Sequence, residues 1–248
     1  MIKGLLIDIG GVLYSGENVI EGAVEALKEL KQKYKIRLLS NSSRNTPENI
    51  LLKLKKFGFD INAEEVFTAL SAAKRFLEFN NSKAYVIATD EAKKFFEDLS
   101  GEVEFVLVCD AYKNFTYDNL NQGFRLLEEG KGFIATNKNR YFKDTDGLSL
   151  DAGGFVKCLE YASGKSAKIL GKPNCEFFSI AIKDMGLEKN EVLMVGDDIE
   201  SDILGAKSCL IRTVMVKTGK FKPNDLLKGK PDYLIDSIAQ LPELLKKL

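Results

Sequence analysis

Four short stretches carry side chains suited to handling a phosphate group. Asp8 closes LLID, Ser40-Asn41 follows IRLL, Lys172 stands in GKP, and Asp197-Asp198 follows LMVG. Each comes where an apolar run ends, and in an open parallel sheet ligands bind beyond the carboxyl ends of the strands. Taken singly, each has a plain structural explanation as a turn or a helix cap. Taken together they offer two acids, a hydroxyl, a lysine and glycine-lined turns, a set suited to a divalent cation and a phosphate. Two facing carboxylates repel unless a cation sits between them, and Mg²⁺ takes oxygen ligands while bridging to substrate phosphate. Lys172 can neutralise a phosphoryl oxygen, while the Ser40 hydroxyl and backbone amides add directed donors. An Asp8 carboxylate screened in this way can attack phosphorus in line and form an aspartyl-phosphate.

The chain of 248 residues contains no histidine. This excludes a Ser-His or Cys-His nucleophile and a His-ligated zinc within it, so acid–base chemistry falls to carboxylates, lysine, tyrosine, serine or cysteine. Lysine plus arginine and aspartate plus glutamate number 36 each, a balance that argues against nucleic acid or an anionic membrane as the main partner. No signal-like N-terminus and no bilayer-length apolar run is present, so the expectation is a soluble, cytoplasmic protein. Cys109, Cys158, Cys175 and Cys209 are scattered without metal-ligand spacing and read as buried, reduced thiols.

The elements that must position the four stretches alternate. GLLIDI is a continuous apolar run, as expected of a strand covered on both faces, and a helix follows over about 21–33. Strand 35–40 leads through NSSRN to a helix opened by Thr46 and Pro47 and stopped at Gly58. Helices are expected over about 69–78, 92–99, 116–129, 153–162, 174–185 and 199–208, with a last one from about Leu241. Strands are expected at AYVIAT, EFVLVC, GFIAT, KIL, EVLMVG, RTVMVK and YLI. This pattern implies an α/β, doubly wound, Rossmann-like parallel sheet. Residues 79–165 form a second α/β unit inserted into a core made of 1–78 and 166–248. The polar stretch 137–147 is long enough to be a functional loop.

DIGGVLY, LSNSS, GKP and GDDIESD, in that order, resemble the haloacid dehalogenase-like (HAD) phosphatases, and the resemblance covers the whole chain. RYFKDTDGLSLDAGGFVKCLEYASG, the EFF after GKP, GDDIESDILGA and VKTGKF are similar to the NagD-like class, which carries a large α/β cap. Within that class they resemble the phosphatases of phospholysine, phosphohistidine and pyrophosphate. The resemblance implies that Asp8 is nucleophile and metal ligand, that Gly10 gives its carbonyl to Mg²⁺, and that Asp197 is the second acidic ligand. It further implies that Gly10, Gly11, Ser40 and Asn41 hold phosphate, that Lys172 neutralises it, and that Asp202 orients Lys172 or a metal-bound water. Asp198 is either a supporting acid or a helix cap. Lys138, Arg140, Tyr141, Lys143, Asp146 and the Asp151-Ala-Gly-Gly turn are the cap residues expected to meet a small phosphorylated substrate, with Arg140 binding it. Relatives with such caps often dimerise through them, so a homodimer is an open expectation.

Most HAD phosphatases carry a second acid two residues after the nucleophile, which protonates the leaving group and later activates water. Here that position is Gly10. General acid–base help is worth about 10²–10⁴-fold, or roughly 3–5 kcal/mol of barrier. The expectation is a phosphatase slow on alkyl esters and biased toward phosphoramidate, pyrophosphate or aryl phosphate. A silent phosphate-binding or regulatory protein, a phosphotransferase, and a fold whose acids merely cap helices remain alternatives.

Overall fold

The computed structural model describes residues 1–143 and 147–248. In chain order the elements are β1 (Gly4–Asp8), β2 (Tyr14–Ser15), β3 (Asn18–Val19), α1 (Ala23–Lys31), β4 (Lys35–Ser40), α2 (Pro47–Lys56) and β5 (Val66–Thr68). Next come α3 (Ala69–Phe79), β6 (Lys83–Ile87), α4 (Asp90–Lys94), β7 (Val103–Val108), α5 (Tyr117–Glu128), β8 (Gly132–Ala135), β9 (Tyr141–Lys143), β10 (Leu148–Leu150), α6 (Gly153–Ser163) and β11 (Lys168–Ile169). The chain closes with α7 (Cys175–Asp184), β12 (Val192–Gly196), a π-helical turn over Ile199–Leu204, α8 (Gly205–Ser208), β13 (Arg212–Val216), β14 (Tyr233–Ile235) and α9 (Leu241–Leu245).

The chain divides into two compact units. The first comprises Met1–Ser40, Glu48–Phe67 and Lys172–Leu248. Its sheet has the order β14-β13-β12-β1-β4-β5, and every pairing with a described register is parallel. β1 lies inside this sheet, with Leu5, Leu6 and Ile7 wholly buried. That explains its unbroken apolar run, since both faces are covered. Each such side chain is worth about 1.5–3 kcal/mol of burial, so a one-residue slip would be heavily penalised. The register therefore fixes where Asp8 stands, level with Leu39 of β4.

The second unit comprises Asn41–Pro47 and Thr68–Gly171, with a four-stranded sheet in the order β11-β8-β7-β6 and a hairpin of β9 with β10. Its limits differ from the expected 79–165. Leu70, Ala73 and Leu77 of α3 share one apolar cluster with Ala88, Leu107, Ile134 and Leu170, so α3 belongs with this unit's sheet. For the same reason the expected core strand KIL is β11, an edge strand paired to β8. Lys172 is therefore the first residue of the returning chain rather than the tip of a strand in the first sheet.

Other expectations were also revised. The helix expected over 92–99 is only Asp90–Lys94, after which the chain turns toward Gly101. The polar stretch 137–147 contains β9, and β5 and the β2–β3 hairpin had no clear signal in so few residues. Asp146 lies outside the described residues. Cys109 is buried as expected, its thiol pushed up to about 12 by burial, but Cys158 is exposed. Cys175 and Cys209 are joined in a disulfide, with Cα atoms 5.4 Å apart, rather than reduced. Their pairing is made by the packing of α7 beside α8, which no spacing in the sequence encodes. Among the described residues no helix is long and apolar enough to cross a membrane.

Candidate active site

At the carboxyl ends of β1 and β12, three carboxylates converge. One ligand oxygen from each of Asp8, Asp197 and Asp202 lies within 4.8 Å of the others. The strands run side by side and parallel, with Ile7 level with Val195, so Asp8 and the Asp197 turn leave the sheet at neighbouring points. Asp202 sits one turn later, in the π-helical segment where the Asp202 and Ile203 amides donate to the Asp198 carbonyl. A side chain at Gly196 would collide with Asp202, whose Cγ would lie 2.6 Å from the new Cβ. Glycine there lets Asp202 fold back against the strand end.

Lys172 is buried between two of these acids. Its ammonium donates to Asp8 Oδ1 and, at 2.7 Å, to Asp202 Oδ1. The other Asp202 oxygen accepts from the Asp198 amide at 3.2 Å. Pro173 next to it packs on Gly205, where a Cβ would approach the Pro173 Cα at 2.9 Å, which holds the GKP turn close to the helical segment after β12.

Burial dominates the electrostatics. Desolvation pushes Asp8 up to about 7; Lys172 opposes this, while Asp202 and Asp197 add to it. Asp197 is pushed up to about 6, again by burial first and by Asp202, although the Lys220 amide pulls it down. Burial alone would weaken the Lys172 charge, but Asp202 and Asp8 outweigh it and raise the ammonium well above its usual range. Three buried carboxylates thus face one ammonium. The deficit of positive charge, with only oxygen donors around it, suits a divalent cation of the Mg²⁺ type.

Asp198 belongs to a different arrangement. Its Oδ1 accepts from the Glu200 and Ser201 amides at 3.0 and 3.1 Å, and its Oδ2 pairs with Lys220 at 3.0 Å. Burial would raise it, but the Ser201 amide and Lys220 hold it down to about 2. It caps the turn that carries Asp202 and is not among the three convergent acids.

Gly10 is exposed, and a Cβ built on it meets nothing within 4 Å. Gly11 is buried with φ 81, its space bounded by Asp197 and Gly219. Ser40 ends β4, half-buried, beside β1. Asn41 and Arg140 belong to the second unit. Asn41 is half-buried with its Oδ1 toward Gly171, whereas Arg140 is exposed at the foot of the β9–β10 hairpin, its carbonyl accepting from the Asp151 amide at 3.3 Å. Thr218, Gly219 and Lys220 also surround Asp197 and Gly11, although the sequence reading gave them no site role. The available signal was a Thr-Gly pair directly after an apolar strand next to LMVGDD.

Comparisons with known proteins identify the fold and the family. The family model for haloacid dehalogenase-like hydrolases matches residues 5–101, and a HAD-hydrolase-like model matches 169–241. The human phospholysine phosphohistidine inorganic pyrophosphate phosphatase is 37% identical over 98% of this chain and 94% of its own length. The p-nitrophenyl phosphatase of Archaeoglobus fulgidus superposes with a TM-score of 0.90 at 27% identity, covering 98% of this chain and 99% of that one. NagD of E. coli K-12 shares the fold, with a TM-score of 0.88 at 24% identity over 96% and 98% of the two chains. The fold and the strand-end acids define a hydrolase built on a parallel β-sheet flanked by helices. The chain belongs to the haloacid dehalogenase-like hydrolase family.

Proposed function

We propose that this chain is a Mg²⁺-dependent phosphatase of small phosphorylated molecules, working through an aspartyl-phosphate on Asp8. The observation that carries the proposal is the buried constellation in which Lys172 joins Asp8 to Asp202 while one carboxylate oxygen of Asp197 lies within 4.8 Å of both acids. Asp8, Asp197 and the Gly10 carbonyl would hold the ion. When bound, Mg²⁺ neutralises charge on the carboxylates and on the transferring phosphoryl group.

The residues then divide the work. Asp8 Oδ1 is engaged by Lys172, while Oδ2 accepts no hydrogen bond among the described residues. Lys172 places its charge where an equatorial phosphoryl oxygen would lie, and Asp202 keeps the ammonium there. Ser40 and the Gly11 turn supply donors to the same group. The Asp8 carboxylate forms a bond to phosphorus as the bond to the leaving group breaks, and the leaving group departs with the electron pair. Water next attacks the phosphorus of the acyl phosphate, releasing inorganic phosphate and restoring the carboxylate.

Gly10 sets the substrate bias, because no side chain there can protonate a departing alkoxide. Leaving groups that need little such help fit best: phosphoramidates protonated on nitrogen, pyrophosphate and aryl phosphates. The names of the relatives, covering phospholysine, phosphohistidine, pyrophosphate and p-nitrophenyl phosphate, support that bias. Space at Gly10 makes the test clean, since an added side chain meets no neighbour. With Mg²⁺, the Gly10→Asp variant should gain about tenfold or more on an alkyl phosphate and clearly less on a phosphoramidate. Equal gains on both, or fast turnover of simple sugar phosphates by the unaltered protein, would overturn the bias. Absence of phosphatase activity on alkyl phosphate, aryl phosphate, phosphoramidate and pyrophosphate alike would overturn the function.

A further inference from the structure

We propose that the loop leaving β13, Thr218-Gly219-Lys220, is a positioning clamp that sets the metal-binding posture of Asp197 and locks the Gly10-Gly11 turn behind the nucleophile. This rests on the Mg²⁺-phosphatase reading and adds residues that the strand-end motifs do not contain. β13 pairs with β12 along Leu193–Gly196, so its exit loop falls beside the Asp197 turn. Three contacts follow. The Lys220 amide donates to Asp197 Oδ2 at 2.6 Å. The Thr218 hydroxyl donates to the Gly11 carbonyl at 2.5 Å. The Asp197 carboxylate is wedged between Gly11 and Gly219, where a Cβ on either residue would overlap Asp197 Oδ2.

The wedge has a chemical consequence. With Oδ2 taken by the Lys220 amide and flanked on two sides by backbone, Oδ1 is the oxygen left for a cation. The hydrogen bond from Thr218 reaches the residue next to Gly10, whose carbonyl is the other backbone-controlled ligand. One loop therefore fixes two ligands contributed by two different strands. Gly219 has φ 66, a conformation in which an L side chain is strained as well as crowded. Second-sphere partners that orient ligands typically change metal affinity by 10–100-fold when lost.

The test is Mg²⁺ binding to the whole protein by titration calorimetry, alongside kcat and KM on 4-nitrophenyl phosphate. Thr218→Val removes the donor while keeping the shape, and should weaken Mg²⁺ binding about five- to tenfold, with Thr218→Ser restoring most of it. Gly219→Ala should weaken it more than tenfold and should raise the Mg²⁺ concentration needed for half-maximal activity. If Gly219→Ala fails to fold, the Thr218 pair still decides. Wild-type Mg²⁺ affinity in Thr218→Val overturns the clamp. Asp197→Asn separates this outcome from failure of the underlying reading: if it loses Mg²⁺ while Thr218→Val keeps it, only the clamp is wrong. If Asp197→Asn binds Mg²⁺ normally, the cation site itself is wrong and the clamp falls with it.

Discussion

At the scale of single residues, the decisive feature is a cation held between two carboxylates. Lys172 is 5% exposed and Asp202 only 1%, so neither can recover solvation when its partner is lost. Breaking a buried pair by removing one member costs about 3–5 kcal/mol. Lys172→Met should therefore lower stability by that order in denaturant titration and abolish turnover, whereas Asp202→Asn should keep Mg²⁺ binding and lose activity about 10²-fold. An Asp202→Asn enzyme of wild-type kcat would contradict its role in holding Lys172. Titration gives a second expectation. Burial lifts Asp8 to about 7 and Asp197 to about 6, above the ordinary 3.8. Between those limits the folded, metal-free protein holds more protons than the unfolded chain, so its stability falls as pH rises from about 4 to 7. Mg²⁺ competes with the same protons, so its affinity should climb across that window and level off above about pH 8. Calorimetric titrations at pH 6, 7 and 8 with equal affinities would refute this. At this scale the sequence was most legible, because Asp8, Lys172 and Asp197 each follow an apolar run that names its own end. Thr218, Gly219 and Lys220 were hidden because a lone hydroxyl, an absent Cβ and a backbone amide gain their partners, Gly11 and Asp197, only when distant strand ends come together.

At the scale of elements, periodicity recovered what local forces decide. The apolar runs of β1, β12 and β13 and the Thr46-Pro47 start of α2 appear where the pattern put them. What it missed was decided by pairing between distant segments. β11 looks like any strand that feeds a first-sheet motif, yet it pairs with β8. β5 has three residues, too few for a period to show. The Cys175–Cys209 disulfide spans 34 residues and ties the start of α7, three residues beyond Lys172, to the segment after α8. Cross-linking a loop of that length restricts the unfolded chain by roughly 3–4 kcal/mol. Replacing both cysteines by serine should lower the denaturation midpoint correspondingly, and a reductant should do the same to the wild type while leaving the double variant unmoved. A reductant-insensitive wild type would mean that the bond contributes nothing to folding.

At the scale of the whole molecule, each unit has a core of its own. One apolar cluster in the first unit runs from Leu5 and Leu27 to Val214 and Leu241, and two others in the second surround the β6–β8 strands. The three convergent carboxylates and Lys172 all belong to the first unit. A ligand that binds only the folded form stabilises by about 2.7 kcal/mol at one hundred times its dissociation constant, and it can stabilise only the unit whose folding creates its site. Saturating Mg²⁺ should therefore raise the melting of the first unit by several degrees, at roughly 2–4 °C per kcal/mol for a protein of this size, and leave the second unit's component nearly fixed. Scanning calorimetry of the full chain with and without Mg²⁺ measures this directly. The Asp197→Asn variant should show the unshifted profile in both conditions. A component moved by Mg²⁺ that survives in Asp197→Asn would place the cation elsewhere. A single transition that moves as one would show instead that the two cores melt together, so that metal held at the tips of β1 and β12 steadies the entire chain.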